Sequence, residues 1–136
     1  MAKILKRDFI LPEEDKEFLD ASYSEWESVI ADNNQWLLVN NFKIPDGYLV
    51  KAASLAINIP STYPDTNLDM AYFHPPLHRE DGSKINATES MITIEGREFQ
   101  RWSRHYEWRP GIDSLRSHLI FVEEWLIKEF CKGMIA

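Results

Sequence analysis

The segment Leu55-Ala56-Ile57-Asn58-Ile59-Pro60-Ser61-Thr62-Tyr63-Pro64-Asp65, continued by Leu68-Asp69-Met70-Ala71-Tyr72-Phe73-His74-Pro75-Pro76, sets the architecture. Leu55, Ile57 and Ile59 alternate with Ala56 and Asn58, the period of two that turns one side of a strand toward a core. Pro60 ends that strand because it has no amide N–H for the ladder. Residues 68–73 read as a second strand, with Leu68, Met70 and Tyr72 opposite Asp69, Ala71 and Phe73. His74-Pro75-Pro76 then forbids helix and interrupts any sheet, so the polar stretch from His78 to Ser90 reads as a loop.

Upstream, Leu11-Pro12-Glu13-Glu14-Asp15 marks a helix start, since proline is tolerated in the first turn and the acids favour the positive end of the helix dipole. Phe18, Leu19, Tyr23, Trp26 and Ile30 recur at helical spacings, predicting one or two short helices to about Ala31, broken by Asp32-Asn33-Asn34. Residues 35–42 are rich enough in Trp, Leu and Val to be a strand, and Pro45-Asp46-Gly47 is a turn. Downstream, residues 91–94 and 99–102 flank Glu95-Gly96-Arg97-Glu98 as a hairpin. From Asp113, Leu115, Leu119, Val122, Leu126 and Phe130 step by three or four down a long helix, started by Gly111 and Asp113 and stopped by Gly133. Strands between two helices favour an α+β fold with an antiparallel meander sheet, in one domain across residues 1–136.

A hydrophobic share of 44%, rich in aromatics, lets such a chain fold without staples. The net charge of -7, with only Arg101, Arg104 and Arg109 close together, argues against nucleic acid as a partner. One cysteine, Cys131, cannot form an internal disulfide, which suits a reducing compartment. Nothing resembles a signal peptide or approaches the ~20 apolar residues of a membrane span, so the expected location is cytoplasmic, away from membranes. The sequon Asn86-Ala87-Thr88 then has no role.

In Gln100-Arg101-Trp102-Ser103-Arg104-His105, an extended backbone would put Ser103 and His105 on one side and Trp102 and Arg104 on the other. A hydroxyl beside an imidazole is the minimum for an activated oxygen nucleophile.

The Tyr63-Pro64 and His74-Pro75 pairs around the second strand, followed by Trp108-Arg109-Pro110-Gly111-Ile112 before the long helix, resemble the Tyr-Pro, His-Pro and Trp-Ser-Pro landmarks of ubiquitin-conjugating enzymes. The resemblance covers residues 35–130, and residues 100–105 with Asp69-Met70 are similar to a bacterial branch, prokaryotic ubiquitin-conjugating family E. It implies the ubiquitin-conjugating fold and a carrier that accepts a ubiquitin-like protein from a ThiF-type activating enzyme, with a JAB-type deubiquitinase-like peptidase encoded nearby. No cofactor is implied for the carrier step.

Two departures from the larger family bear on chemistry. Pro76 stands where the usual asparagine would stabilise an oxyanion, and proline has no donor; backbone amides near the hairpin would have to supply it. No cysteine lies between Gly96 and Trp108, where the conjugating enzymes carry theirs. Three readings stay open: another nucleophile replaces the thiol, Cys131 serves from elsewhere, or the domain is a noncatalytic module that binds the ubiquitin-like protein or its activating enzyme. Ser103 is the replacement candidate, with His105 as base, since a neutral imidazole can take the hydroxyl proton at cytoplasmic pH. The plainer alternative has both capping backbone groups in a turn.

Cys131 suits a small apolar filler beside Phe130. His74 and His78 have a metal-ligand spacing that works only on a helix, which Pro75-Pro76 precludes, so no metal is expected. His118 is expected to flank the core. Arg101 and Arg104 could hold a carboxylate tail or pair with Glu95 and Glu98; Trp36, Trp102, Trp108 and Trp125 are expected in the core, and Asp65 and Asp69 at a turn and an edge. A standalone small-molecule hydrolase using Ser103 has neither a Gly-Xaa-Ser-Xaa-Gly elbow nor a visible triad in its favour.

Overall fold

The computed structural model describes residues 4–130, so Cys131 and Gly133 lie outside the described residues. Helix α1 (Glu13–Ser22) precedes six strands, β1 (Trp26–Ala31), β2 (Asn34–Lys43), β3 (Ala52–Ile59), β4 (Ala71–His74), β5 (Met91–Ile94) and β6 (Arg97–Trp102), and α2 (Leu115–Lys128) follows them. The strands form one antiparallel sheet in the order β1-β2-β3-β4-β6-β5, an α+β arrangement with a helix at either end. The meander runs as far as β4. There the second strand of the 91–102 hairpin pairs with β4 and the first becomes the edge.

The helix expected to reach Ala31 stops at Ser22. Tyr23 is extended, and residues 26–31 pair with β2 from Trp26↔Val39 to Ala31↔Asn34. Trp26, Val29 and Ile30 are β-formers whose spacings happen to fit a helix. Asp32 and Asn33 both take positive φ, the geometry of a tight hairpin turn, so the three polar residues read as a helix break are a strand-to-strand connection. Glu95 and Gly96 build the same kind of turn between β5 and β6.

The sheet is apolar on both faces. Leu37 and Val39, Leu55 and Ile57, and Ala71 and Phe73 join Leu19, Leu115, Leu119, Val122 and Leu126 from the helices in the main core. The intervening positions Trp36, Leu38 and Ala56 join Val29, Ile94 and Phe99 in a second cluster on the opposite face, with Tyr72 packed against it. Curling protects that face: Lys6, whose amide donates to Glu27 of β1, also reaches Glu95 at the β5–β6 turn, 2.6 Å from its carboxylate. The second strand read from the sequence begins at Ala71 instead of Leu68, because Met70 takes a left-handed conformation (φ 59°) that reverses the alternation there.

Tyr63 ties the helices together. Its hydroxyl donates to Asp15 of α1 at 2.7 Å and accepts from the Leu115 amide of α2 at 2.7 Å. Burial raises the Asp15 carboxyl above its ordinary range, against the opposing effect of that hydrogen bond. The start of α2 is set by Ser114, whose amide donates to Ser117 Oγ, while Asp113 accepts from both the amide and the guanidinium of Arg109. Among the described residues no helix is long and apolar enough to cross a membrane.

Gly47 has φ +108°, and a Cβ there would collide with the Phe130 ring. That ring packs edge-on against Tyr48 and under the Arg79 guanidinium, so it has little room to yield. Gly47→Ala is expected to cost about 2 kcal/mol through strain and displacement of Phe130, measured by denaturant unfolding.

Candidate active site

Trp102 ends β6 opposite Ala71 and is fully buried, which fixes the chain just before Ser103. Beyond the strand the backbone stays extended because the Met70 amide donates to the Arg104 carbonyl at 3.2 Å and the Ser103 amide to the Ala87 carbonyl at 3.1 Å. The Arg104 guanidinium lies 4.8 Å from the Trp102 ring centroid, on the Trp102 side. Ser103 and His105 share the other side, as a period of two requires.

Their side chains meet. Ser103 Oγ is 3.3 Å from His105 Nε2, and His105 Nδ1 is 2.9 Å from both oxygens of Asp69. A carboxylate on Nδ1 selects the tautomer with the proton there and leaves Nε2 free to accept the serine proton. Hydroxyl, imidazole and carboxylate thus stand in the order of a serine nucleophile's relay. The His105 and Asp69 side chains are 59% and 34% exposed, so the relay opens to solvent. The Ser103 side chain bonds to His105, and His105 to Asp69, instead of capping backbone groups.

Asp69, expected as an edge residue, is the member that sequence reasoning missed. It is placed by the left-handed Met70, whose carbonyl accepts from His118 Nε2 at 2.8 Å. His118 Nδ1 in turn accepts from the Tyr106 hydroxyl at 2.7 Å. The imidazole is wholly buried among Tyr106 and Trp125, and burial lowers its pKa from 6.5 to about 4, so the ring is neutral with its proton on Nε2. Burial likewise raises the Tyr106 phenol. His118 lies inside the core and anchors the turn that carries Asp69.

The arginines differ from expectation. Arg101 donates to Ser90 Oγ, and Arg104 to the carbonyls of Asn86 and Ser103 with Glu129 3.7 Å away; neither pairs with Glu95 or Glu98, because the curl of the sheet gives Glu95 to Lys6. Arg104 is therefore engaged on the face opposite to Ser103 and His105. Trp36 and Trp102 are buried, whereas Trp108 and Trp125 are only half-buried, since Trp108 sits in the irregular stretch before α2 and Trp125 on the rim of that helix. Asp65 is exposed in a turn. His74 Nδ1 meets the Glu98 carbonyl at 2.8 Å, and His78 is exposed on the following loop. No group of three metal-ligating side chains occurs among the described residues. The Ser103 amide, engaged by Ala87, is one hairpin amide that cannot stabilise an oxyanion without breaking that bond.

The family model for prokaryotic E2 family E matches residues 11–129 of the chain. No curated protein and no solved structure matches it.

Proposed function

The chain belongs to prokaryotic E2 family E, whose ubiquitin-conjugating-like role brings in a ubiquitin-like protein and an activating enzyme in general, and we propose that here Ser103 is the acceptor of the ubiquitin-like protein. The observation that carries this reading is the Ser103–His105–Asp69 alignment, in the segment that corresponds to the cysteine region of the conjugating enzymes.

Ser103 Oγ attacks the carbonyl carbon of the C-terminal glycyl thioester on the activating enzyme while His105 Nε2 takes its proton. Collapse of the tetrahedral intermediate forms the serine ester and expels the thiolate, which recovers that proton from His105. Asp69 holds Nδ1–H and stabilises the imidazolium formed on the way. An amine of the target then attacks the ester carbonyl while His105 accepts its proton, the carbon–oxygen bond to Ser103 breaks, and the departing serine oxygen recovers that proton from His105. None of these steps calls on a cofactor.

Mixing the protein with the activating enzyme, the ubiquitin-like protein and ATP, followed by peptide mass spectrometry, tests the proposal. The expected adduct lies on Ser103, survives thiol reductant, is cleaved by mild alkali, and is absent from Ser103→Ala. An adduct on Cys131 would move the active site outside this segment. No adduct, with the activating enzyme itself charged, would leave a module that binds its partners without covalent chemistry.

A further inference from the structure

We infer that the Ser103–His105–Asp69 relay also discharges its own acyl group to water, making this domain an acyl hydrolase for glycyl-terminated esters and thioesters. The inference rests on the reading of Ser103 as acyl acceptor.

Once Ser103 is acylated, its oxygen no longer carries a proton, and His105 Nε2, 3.3 Å from that oxygen, is free to accept one from another donor beside the ester carbonyl. With 59% of its side chain exposed, His105 is open to water, and water is the most abundant donor. Water adds to the acyl carbon as His105 takes one proton. The carbon–oxygen bond to Ser103 then breaks, the serine oxygen takes the proton back, and the glycyl carboxylic acid leaves, giving its remaining proton to solvent. Atoms balance with water as the sole co-reactant. The carboxylate behind the imidazole hastens loss of an acyl-serine as well as its formation, so the same Asp69 that serves charging also serves discharge to water. Asp69 acts through His105 and is a positioning residue. Its support reaches into the core through Met70 and His118, so the carboxylate is held by more than a surface turn.

The test uses the full chain and the p-nitrophenyl ester of N-acetylglycylglycine, following p-nitrophenolate release and the intact mass. Wild-type protein is expected to turn over repeatedly, with acylated Ser103 as a trapped intermediate at low pH. Ser103→Ala and His105→Ala should fall to the buffer rate with unchanged circular dichroism. Asp69→Asn should lower kcat at least tenfold at pH 7 with KM little changed, and shift the pH profile, a change that mere loosening of a turn would not give. Turnover retained by Ser103→Ala would show direct imidazole catalysis and overturn the inference. Acylated Ser103 that accumulates without turnover overturns discharge to water but keeps the carrier's nucleophile. Absence of both acylation and turnover removes the hydrolase, and the adduct from the ubiquitin-like protein then decides the carrier separately.

Discussion

Replacing Gln100 by leucine is expected to destabilise the protein by about 4 kcal/mol, although the volume of the side chain hardly changes. Gln100 is buried, and its amide forms a clamp: Oε1 accepts from the Leu77 amide and from Trp102 Nε1, both at 2.9 Å, while Nε2 donates to the Leu77 carbonyl at 3.2 Å. Leu77 and Trp102 are themselves almost wholly buried, so leucine strands two donors and one acceptor away from water. Each orphaned group costs roughly 1 to 3 kcal/mol, more than the net worth of the bond it lost. A drop of about 10 °C or more in Tm should follow. The loss should extend to function, because Leu77 begins the segment whose Ala87 carbonyl holds the Ser103 amide. Hydrogen exchange at Ser103 should therefore accelerate with the fall in stability. A Tm within about 2 °C of wild type would mean that water reaches these groups.

The same clamp shows why the site is only partly legible in the sequence. Local periodicity exposes β2, β3, the 91–102 hairpin and α2, each with a continuous apolar pattern and a recognisable turn or start. It misreads β1 because Trp26 to Val29 are buried on both sides of the strand and Ile30 is an exposed apolar residue, so clean alternation is lost and spacings of three and four survive by accident. The signal that would have found β1 is the Asp32-Asn33 turn, both residues being tolerant of positive φ. Ser103 and His105 are visible as a pair because extended backbone alone makes them neighbours. Asp69 is not, since it meets His105 across 36 residues of separation. That meeting needs β4 to pair with β6 past the intervening β5, and Met70 to turn left-handed on a bond from a helix more than forty residues further on. Each requirement belongs to tertiary structure, so the carboxylate of the relay could be found only in three dimensions.

That helix bond also makes stability depend on pH, and its loss on acidification is the second large effect expected. His118 has an ordinary pKa of 6.5 unfolded and about 4 in the fold, lowered chiefly by burial and only partly offset by the Met70 carbonyl and the Asp69 charge. Above pH 6.5 the ring is neutral in both states and its bonds to Met70 and Tyr106 count in full. Between pH 6.5 and 4 the unfolded chain takes up a proton that the folded chain refuses, so stability falls as pH falls. Over that span the loss is about 3 kcal/mol, at about 1.4 kcal/mol per unit. Asp15 works in the opposite sense: its raised carboxyl binds a proton earlier in the fold and moderates the decline. Asp113, held low by Arg109, adds its own loss below the ordinary carboxylate range, outside this window. Denaturant unfolding at pH 7.5 and pH 4.5 isolates the histidine when wild type is compared with His118→Gln, whose amide can donate to Met70 and accept from Tyr106 without titrating. The variant should start less stable yet lose about 2 to 3 kcal/mol less between the two pH values. Equal losses in both proteins would place the acid sensitivity elsewhere. Because the protonated ring would bring a second N–H against the Tyr106 hydroxyl and bury a charge beside the Met70 turn, the carboxylate that orients His105 should loosen only toward pH 4, where the folded ring itself takes up its proton, below the window in which global stability declines.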